Sequence, residues 1–325
     1  MAASKSNPSS KLRAQLKEFI AARTGPADRL CVGLSGGRDS VVLLHLLVGL
    51  GLNGRLSAIH VHHGLSPQAD AWADFCRALC GRLGVPLVVE RVAVPRDSGF
   101  GLEAAARRAR YAAFTGCGAD CLLLAHHQGD QAETLLFNLL RGAGVTGAAA
   151  MPVERLLDGL RILRPLLDVP RAAIVSYAAE AGLAWVEDES NANVDFSRNF
   201  IRHDVLPLLE GRFPGATERL VSAAGHFAEA DLLLVEQAAA DWADLVVHDA
   251  LPLASLRRLS PPRLKNLLRH RLRVLGWGTP VASRLDEFAR QLLEAEPGRR
   301  PQLRLPEGEM RVIRGCLRWY PHPEG

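Results

Sequence analysis

The most chemically informative residues of this chain form the segment 35–40, SGGRDS, which directly follows an apolar run at 30–34. A helix-like pattern of apolar residues begins immediately after it. A strand that ends in a glycine turn and leads into a helix presents free backbone N–H groups and the positive end of the helix dipole to an anion. Gly36 and Gly37 let the backbone approach a phosphate closely, and Ser35 and Ser40 add hydroxyl donors. The segment therefore predicts a phosphate-binding loop.

Asp39 is the unusual member of this segment, because a carboxylate repels a phosphate unless a cation lies between them. It predicts Mg²⁺, a hard ion that carboxylate and phosphate oxygens hold. The spacing fits neither the Walker loop nor the G-x-G-x-x-G turn. It resembles the pyrophosphate-binding loop (PP-loop) of enzymes that cleave ATP to AMP and pyrophosphate. The alternative is an ordinary turn of small residues between a strand and a helix.

A second polar segment, AHHQGDQAET at 125–134, falls where a strand is expected to end and a helix to begin. Asp130 and Glu133 are three residues apart and share one face of that helix, where they could bind a cation or a substrate ammonium group. Alternatively, they only complement the helix dipole. His126 and His127 could hydrogen-bond phosphates, and a protonated histidine could stabilise a leaving oxyanion.

Further candidates lie at the end of another strand and on another helix. His60 and His62 alternate with apolar residues, and His60 is expected to be a core histidine. Arg107, Arg110 and Tyr111 occupy a helical stretch and could reach a phosphate or RNA, unless they only form a solvated face. His62 and Arg107 are therefore kept as site candidates.

The first half of the chain alternates predicted strands with predicted helices. Short apolar runs predict strands at 29–34, 55–62, 86–94 and 120–126. Helical periodicity predicts helices at 10–22, 38–50, 67–83, 101–116 and 130–141. This alternation indicates an α/β fold with a doubly wound parallel sheet, whose ligands bind beyond the carboxyl ends of the strands. Such ends carry Ser35, the pair His62-His63 and the pair His126-His127.

The alternation weakens after residue 152. The segment 160–167 is a strand or a linker, and helices are expected at 170–182, 199–210, 216–245 and 281–295, with another from Pro261. Short strands are expected at 302–306 and 310–320. The predicted organisation is an N-terminal tail and helix at 1–24, a catalytic domain at 25–212, and a smaller, mainly helical domain with short terminal strands at 213–325. Phe213-Pro214-Gly215 is the expected hinge.

Charge is distributed unevenly along the chain, whose net charge is +4. From residue 255 onward, 15 Lys and Arg face seven Asp and Glu, so this part carries +8. A basic terminal region predicts a polyanionic partner, most simply a nucleic acid, unless the arginines are only scattered over solvated faces. No apolar run is long enough to span a membrane, and residues 1–10 lack a signal core, so we expect a cytoplasmic protein.

The six cysteines include two pairs with C-x₃-C spacing, Cys76 with Cys80 and Cys117 with Cys121. Such spacing can indicate a metal site. However, Cys76 and Cys80 lie four apart in a helical stretch and Cys121 begins an apolar strand, which favours buried, free thiols.

Eight segments occur in an order that resembles the tRNA(Ile)-lysidine synthetase family. They are LSGGRDS at 34–40, VHHGL at 61–65, Glu103-x-x-Ala106-Arg107-x-x-Arg110-Tyr111, His126-His127-x-x-Asp130-Gln131-Ala132-Glu133-Thr134, Leu140-Arg141-Gly142-x-Gly144, Arg164-Pro165-Leu166-Leu167-x-Val169-x-Arg171, Trp185-Val186-Glu187-Asp188-x-Ser190-Asn191 and Arg198-Asn199-x-Ile201-Arg202-x-x-Val205-Leu206-Pro207. The resemblance is close over 29–210 and loose beyond. The last two segments separate this family from other PP-loop proteins.

The resemblance implies a specific reaction. ATP adenylates the 2-oxygen of the wobble cytidine in the CAU anticodon of an isoleucine tRNA. The ε-amine of free L-lysine then displaces AMP to give lysidine. The expected partners are therefore ATP, Mg²⁺, lysine and that tRNA. The sequence leaves the oligomeric state open, a homodimer included.

The resemblance also implies roles for individual residues. Asp39 would hold Mg²⁺, and Asp130 and Glu133 would position the lysine ammonium. Arg107 and Arg202, or Arg198, would stabilise the adenylated intermediate or contact the anticodon loop. The ATP site is expected to comprise Leu34, Ser35, Gly36, Gly37, Arg38, Asp39, Ser40, His62, His126 and His127.

One departure from the family pattern bears on activity. Members commonly carry two consecutive aspartates after the histidine pair, and the first is replaced here by Gly129. Because Asp130 and Glu133 remain, we expect catalysis to persist. The alternatives are a PP-loop tRNA thiolase, a PP-loop synthetase acting on a small metabolite, and a tRNA-binding protein with a degenerate ATP site.

Overall fold

The computed structural model describes residues 8–95, 102–189, 197–294, 296 and 299–322, with side chains from residue 105 onward in the second range. The side chain of Glu103 and residues Ser190 and Asn191, which belong to the motifs above, lie outside the described residues. The chain forms two compact units, one up to Ala228 and one from Glu229. The division falls within a helix, and the boundary after residue 212 stays a prediction.

The first unit contains a six-stranded sheet in the order β3-β2-β1-β4-β6-β5. Its strands are β1 Leu30–Gly33, β2 Leu56–His62, β3 Leu87–Arg91, β4 Cys121–Leu123, β5 Glu154–Leu157 and β6 Leu160–Leu163. All neighbours are parallel except β5 and β6. The predicted parallel α/β fold is confirmed, with an antiparallel edge added by β5.

The β5–β6 hairpin was not predicted, although its turn carries a recognisable signal. Asp158 and Gly159 both adopt positive φ, at 47° and 84°. An Asp-Gly pair with this geometry favours a tight hairpin whose twist matches that of the strands. The strand was missed because Glu154–Leu157 carries two charged residues and is mostly exposed, so it lacks an apolar run.

The helices of the first unit largely follow the predicted ranges. They are α1 Pro8–Arg23, α2 Arg38–Gly49, α3 Ala69–Leu83, α4 Leu102–Thr115, α5 Gln128–Leu140, α6 Val145–Ala148, α7 Arg171–Glu180, α8 Ser197–Phe200 and α9 Leu206–Arg212. The single helix expected at 199–210 is interrupted, because Ile201–Val205 forms a π-helical turn between α8 and α9. Such turns re-aim side chains and are frequent at functional sites.

Burial of apolar side chains on both faces of the sheet fixes the position of the loop at 34–40. β1 is almost wholly buried, and α2 buries seven of its twelve residues. α1 adds Leu12, Leu16 and Ile20, which lie on one helical face at four-residue spacing. Cys76 and Cys80 of α3 pack into the same core, and His60 is buried, both as predicted.

The second unit combines helices with a four-stranded antiparallel sheet. The helices are α10 Ala216–Leu245, which begins in the first unit, α11 Leu253–Leu256, α12 Pro261–Val274 and α13 Ala282–Glu294. The strands are β7 Leu251–Pro252, β8 Gln302–Leu305, β9 Gly308–Ile313 and β10 Cys316–Pro321, in the order β7-β10-β9-β8. The single strand expected at 310–320 is thus a hairpin, whose turn holds Arg314 and Gly315 at positive φ. Among the described residues, no helix is long and apolar enough to cross a membrane.

The β9–β10 hairpin predicts that Gly308→Ala strongly destabilises the second unit. An added Cβ would lie 2.3 Å from Trp277 Cη2 and 2.4 Å from the Tyr320 carbonyl oxygen. Overpacking of this kind costs about 1–3 kcal/mol of unfolding free energy, measurable by urea unfolding. The control is Gly225→Ala on α10, where an added Cβ would meet no atom within 4 Å beyond the adjacent residues and the local helix backbone, and where alanine favours the helix. Equal stability of the two variants would contradict this packing.

Candidate active site

The loop after β1 is held by its own hydroxyl groups. Ser35 Oγ accepts a hydrogen bond from Gly37 N at 3.2 Å and lies 3.1 Å from Ser40 Oγ. Ser40 Oγ donates to the Gly37 carbonyl oxygen at 2.9 Å. Gly36 has a φ of +87°, which an L side chain rarely adopts. The loop therefore leads into α2 with a fixed shape, and the first-turn N–H groups of α2 stay available to an anion.

A distant segment covers this loop. Val186 N donates to the Gly36 carbonyl oxygen at 3.0 Å. A Cβ on Gly36 would lie 2.8 Å from Val186 Cγ2 and 3.3 Å from Cys76 Sγ. Glycine is thus required at position 36 for two reasons, its backbone conformation and its close neighbours. Val186 belongs to a family-like motif, but the sequence alone assigned it no role.

His127 connects the loop with α5. Its Nδ1 accepts hydrogen bonds from Gly129 N at 3.0 Å and Asp130 N at 3.4 Å, while Asp130 Oδ2 accepts from His127 N at 2.9 Å. This reciprocal arrangement caps the helix. Because Nδ1 is an acceptor, the neutral ring carries its proton on Nε2, which lies 3.7 Å from Asp39 Oδ2.

Gly129 makes room for that ring. A Cβ at position 129 would lie 2.9 Å from His127 Cε1 and 3.1 Å from Nδ1. The aspartate common in the family at this position would therefore require the His127 ring to shift. Glycine preserves the cap in this chain.

Arg202 binds both carboxylates of α5. Its Nε lies 2.7 Å from Glu133 Oε1, and its Nη2 lies 2.8 Å from Glu133 Oε2 and 3.0 Å from Asp130 Oδ1. Glu133 is only 3% exposed, and burial raises its pKa although Arg202 opposes the shift. Burial acts to lower the pKa of Arg202. The ion pairs with Glu133 and Asp130 outweigh this effect, and the pKa of Arg202 is raised. Arg202 lies in the π-helical turn, which the sequence analysis did not predict.

Asp130 is the more exposed of the two carboxylates that Arg202 binds. Its side chain is 18% exposed, against 4% for that of Glu133. Two carboxylates share one guanidinium, so the cluster keeps an excess negative charge. Such a cluster can bind a further cation, with Asp130 as the exposed contact.

His126 lies among cationic side chains. Burial lowers its pKa to about 4, with Asp130 opposing and Arg164, Arg107 and Arg198 adding to the shift. Its Nδ1 is buried and has no hydrogen-bond partner among the described residues. At neutral pH the ring is therefore uncharged, and it can bind an anion as a hydrogen-bonding group but not as a cation.

His62 and Arg107 occupy different surroundings. His62 is buried, and its Nε2 lies 3.2 Å from Asp70 Oδ1 on α3. Arg107 is exposed on α4, with its guanidinium carbon 5.2 Å from the centre of the Tyr111 ring. Their assignment to the ATP site and to catalysis stays a prediction.

Comparison with protein families identifies both units. Residues 8–209 match the PP-loop domain family, and residues 251–318 match the TilS substrate-binding domain. Among solved structures, the fold resembles that of the U34-tRNA thiolase NcsA from Methanococcus maripaludis, with a TM-score of 0.55 and 18% identity over 68% of this chain and 78% of that one. At this identity the likeness concerns the fold alone.

Curated relatives are much more similar in sequence. The tRNA(Ile)-lysidine synthases of Alkalilimnicola ehrlichii, Nitrosomonas europaea and Aromatoleum aromaticum are 48%, 44% and 51% identical over 91%, 93% and 84% of this chain. The chain spans about two thirds of their lengths, at 68%, 67% and 65%. With identity at this level across both units, the chain belongs to the tRNA(Ile)-lysidine synthase family.

Proposed function

We propose that this chain ligates free lysine to the wobble cytidine of an isoleucine tRNA with a CAU anticodon, consuming ATP and releasing AMP and pyrophosphate. The observation that carries the proposal is the position of His127. This residue contacts Asp39 of the PP-loop with its ring and Asp130 of the carboxylate cluster with its backbone N–H. Adenylation turns the cytosine oxygen into a good leaving group. A neighbouring carboxylate can hold the lysine ammonium and help remove its proton before attack.

Asp39 is well placed to act as a ligand of Mg²⁺. Its side chain is 32% exposed in the first turn of α2, next to the loop. Among the described residues, no three side chains of the metal-binding types come together. Mg²⁺ commonly takes one or two protein carboxylates and completes its shell with phosphate oxygens and water. Asp39 would thus hold the ion, whose charge would offset that of the triphosphate.

We assign different roles to the two carboxylates of α5. Glu133 is buried and bound by both nitrogens of one edge of Arg202, so it acts as a positioning residue for that arginine. Asp130 is more exposed and is the group that would contact the lysine ammonium. Arg202 would then face the reacting phosphate or base.

The basic part of the second unit supports tRNA as the partner. α12 carries Arg and Lys on its polar side and buries four leucines on the other. Because ATP, lysine and tRNA meet in the cytoplasm, we propose that location. A homodimer stays a prediction that light scattering can test.

Sulfur transfer is less well supported than lysine ligation. Burial raises the pKa of Cys76 to about 12 and that of Cys80 to about 11, so this pair consists of unreactive thiols. A hydrogen bond with Cys31 lowers the pKa of Cys117 to about 6. However, Cys117 precedes β4 and so lies at the amino end of the strands, opposite the loop.

The activity is tested by incubating the protein with Mg-ATP, labelled lysine and a CAU-anticodon tRNA transcript. Digested nucleosides are then read by mass spectrometry. We expect lysine attached to cytidine in the wild type and at least 100-fold less in Asp39→Asn, because the loop loses its cation ligand. The control is Asp158→Asn, an exposed turn residue. ATP consumption without lysine attachment would contradict the proposal.

The division of roles on α5 predicts two different kinetic defects. Asp130→Asn should raise the KM for lysine about tenfold or more, because an amide holds an ammonium less strongly. Glu133→Gln should mainly lower kcat and reduce stability by about 3 kcal/mol, because it leaves Arg202 without its buried partner. Steady-state kinetics and urea unfolding separate the two. An increase in lysine KM confined to Glu133→Gln would reverse our assignment.

Two partly buried histidines predict a loss of stability in mild acid. Burial lowers the pKa of both His63 and His126 to about 4, below the unfolded value near 6.5. Between these values the unfolded chain binds more protons than the folded one. The unfolding free energy should therefore be highest above pH 6.5 and should fall as the pH drops toward 4. Urea unfolding at pH 7 and pH 5 measures this, and equal stabilities would contradict it.

A further inference from the structure

His60 is a buried histidine of β2 to which the proposed function gives no role. It is only 4% exposed, and the sequence predicted a core residue. Its Nδ1 lies 2.9 Å from the carbonyl oxygen of Leu34, the first residue of the loop at 34–40. The side chain therefore contacts the backbone at the point where the loop begins.

The chemistry of the two groups fixes the direction of this hydrogen bond. A carbonyl oxygen can only accept, so Nδ1 of His60 carries a proton and donates it. Burial lowers the pKa of His60 below its ordinary value, although the hydrogen bond to Leu34 opposes the shift. At pH 7 the ring is therefore neutral, and its single proton is on Nδ1.

The hydrogen bond also fixes the orientation of the first peptide group of the loop. Leu34 N donates to the Ile59 carbonyl oxygen at 2.8 Å, so residues of β2 hold both backbone groups of Leu34. No peptide bond among the described residues is cis, and a trans peptide holds its C=O and its N–H in opposite directions. Because the carbonyl of Leu34 faces His60, the N–H of Ser35 points away from it.

Cys76 of α3 contacts both the histidine and the loop. Its Sγ lies 3.5 Å from His60 Nδ1 and 4.0 Å from the Leu34 carbonyl oxygen, and the residue is fully buried. A Cβ on Gly36 would lie 3.3 Å from the same sulfur atom. The thiol and the imidazole thus meet at one carbonyl group, and the backbone at 34–36 packs closely against α3.

We propose that His60, packed against Cys76, is a positioning residue for nucleotide binding. Its Nδ1–H holds the Leu34 carbonyl and thereby keeps the Ser35 N–H ready to donate to a phosphate oxygen of ATP. A donor that is fixed before binding spares the cost of ordering it when ATP binds. His60 acts through the loop and does not touch the nucleotide. This role rests on the part of the proposed function that assigns ATP to the loop, and not on the transfer of lysine.

The test compares variants of the full chain that differ in where the side chain carries an N–H. His60→Asn keeps a donor near the place of Nδ1, His60→Gln moves it further from the backbone, and His60→Leu removes it. Affinities for Mg-ATP and for adenosine, which lacks phosphates, are measured by calorimetry and by NMR titration. We expect Mg-ATP to bind about tenfold more weakly to His60→Leu and His60→Gln, the effect of about one hydrogen bond, and His60→Asn to stay within about threefold of the wild type.

Adenosine separates a positioning role from general damage to the fold. If His60 shapes the phosphate loop, the affinity for adenosine should stay within about twofold of the wild type in every variant, whereas a disturbed fold weakens both ligands. The control is His45→Leu on α2. It removes a half-buried histidine whose Nδ1 lies 2.9 Å from the Tyr177 hydroxyl oxygen, and it should leave both affinities unchanged.

Equal Mg-ATP affinity in the wild type and in a folded His60→Leu would overturn the proposal, and so would parallel losses of Mg-ATP and adenosine affinity. If His60→Leu does not fold in urea-unfolding controls, the comparison of His60→Asn with His60→Gln decides. Equal Mg-ATP affinities of these two would again overturn the proposal. A wild type that binds Mg-ATP but makes no lysidine would refute the proposed lysine ligation, and the affinities would still establish the role of His60.

Discussion

The ion pair between Arg202 and Glu133 is the interaction on which the site depends. It joins the π-helical turn to α5, and α5 in turn is capped by His127, whose ring faces Asp39. Three segments far apart in the sequence are thereby held around one small volume. Because Glu133 is buried, the pair is shielded from water and its geometry is fixed more firmly than that of a surface pair.

Much of the fold follows from patterns in the sequence. Apolar runs bounded by glycine identified β1 and β2, and helical periodicity identified α2, α5 and α10. The loop could be predicted because its chemistry is local. Two glycines, two hydroxyls and one carboxylate suffice to define it.

Other features depend on tertiary contacts that no local pattern contains. The π-helical turn places Arg202 on two carboxylates about 70 residues away, and the burial of Arg164 results from the packing of neighbouring segments. Gly129 is a similar case, since its effect depends on the position of the His127 ring. The sequence showed only that an aspartate common in the family is missing there, whereas the structure shows a helix cap with which this glycine is compatible.

The contact between Val186 and Gly36 has a consequence for the order of events during synthesis. The two residues are 150 positions apart, so the carbonyl of Gly36 has no Val186 partner until most of the first unit has left the ribosome. Closing so long a loop is entropically unfavourable before the intervening sheet has formed. The nucleotide loop therefore acquires its final cover late, and a truncated nascent chain presents the loop without it.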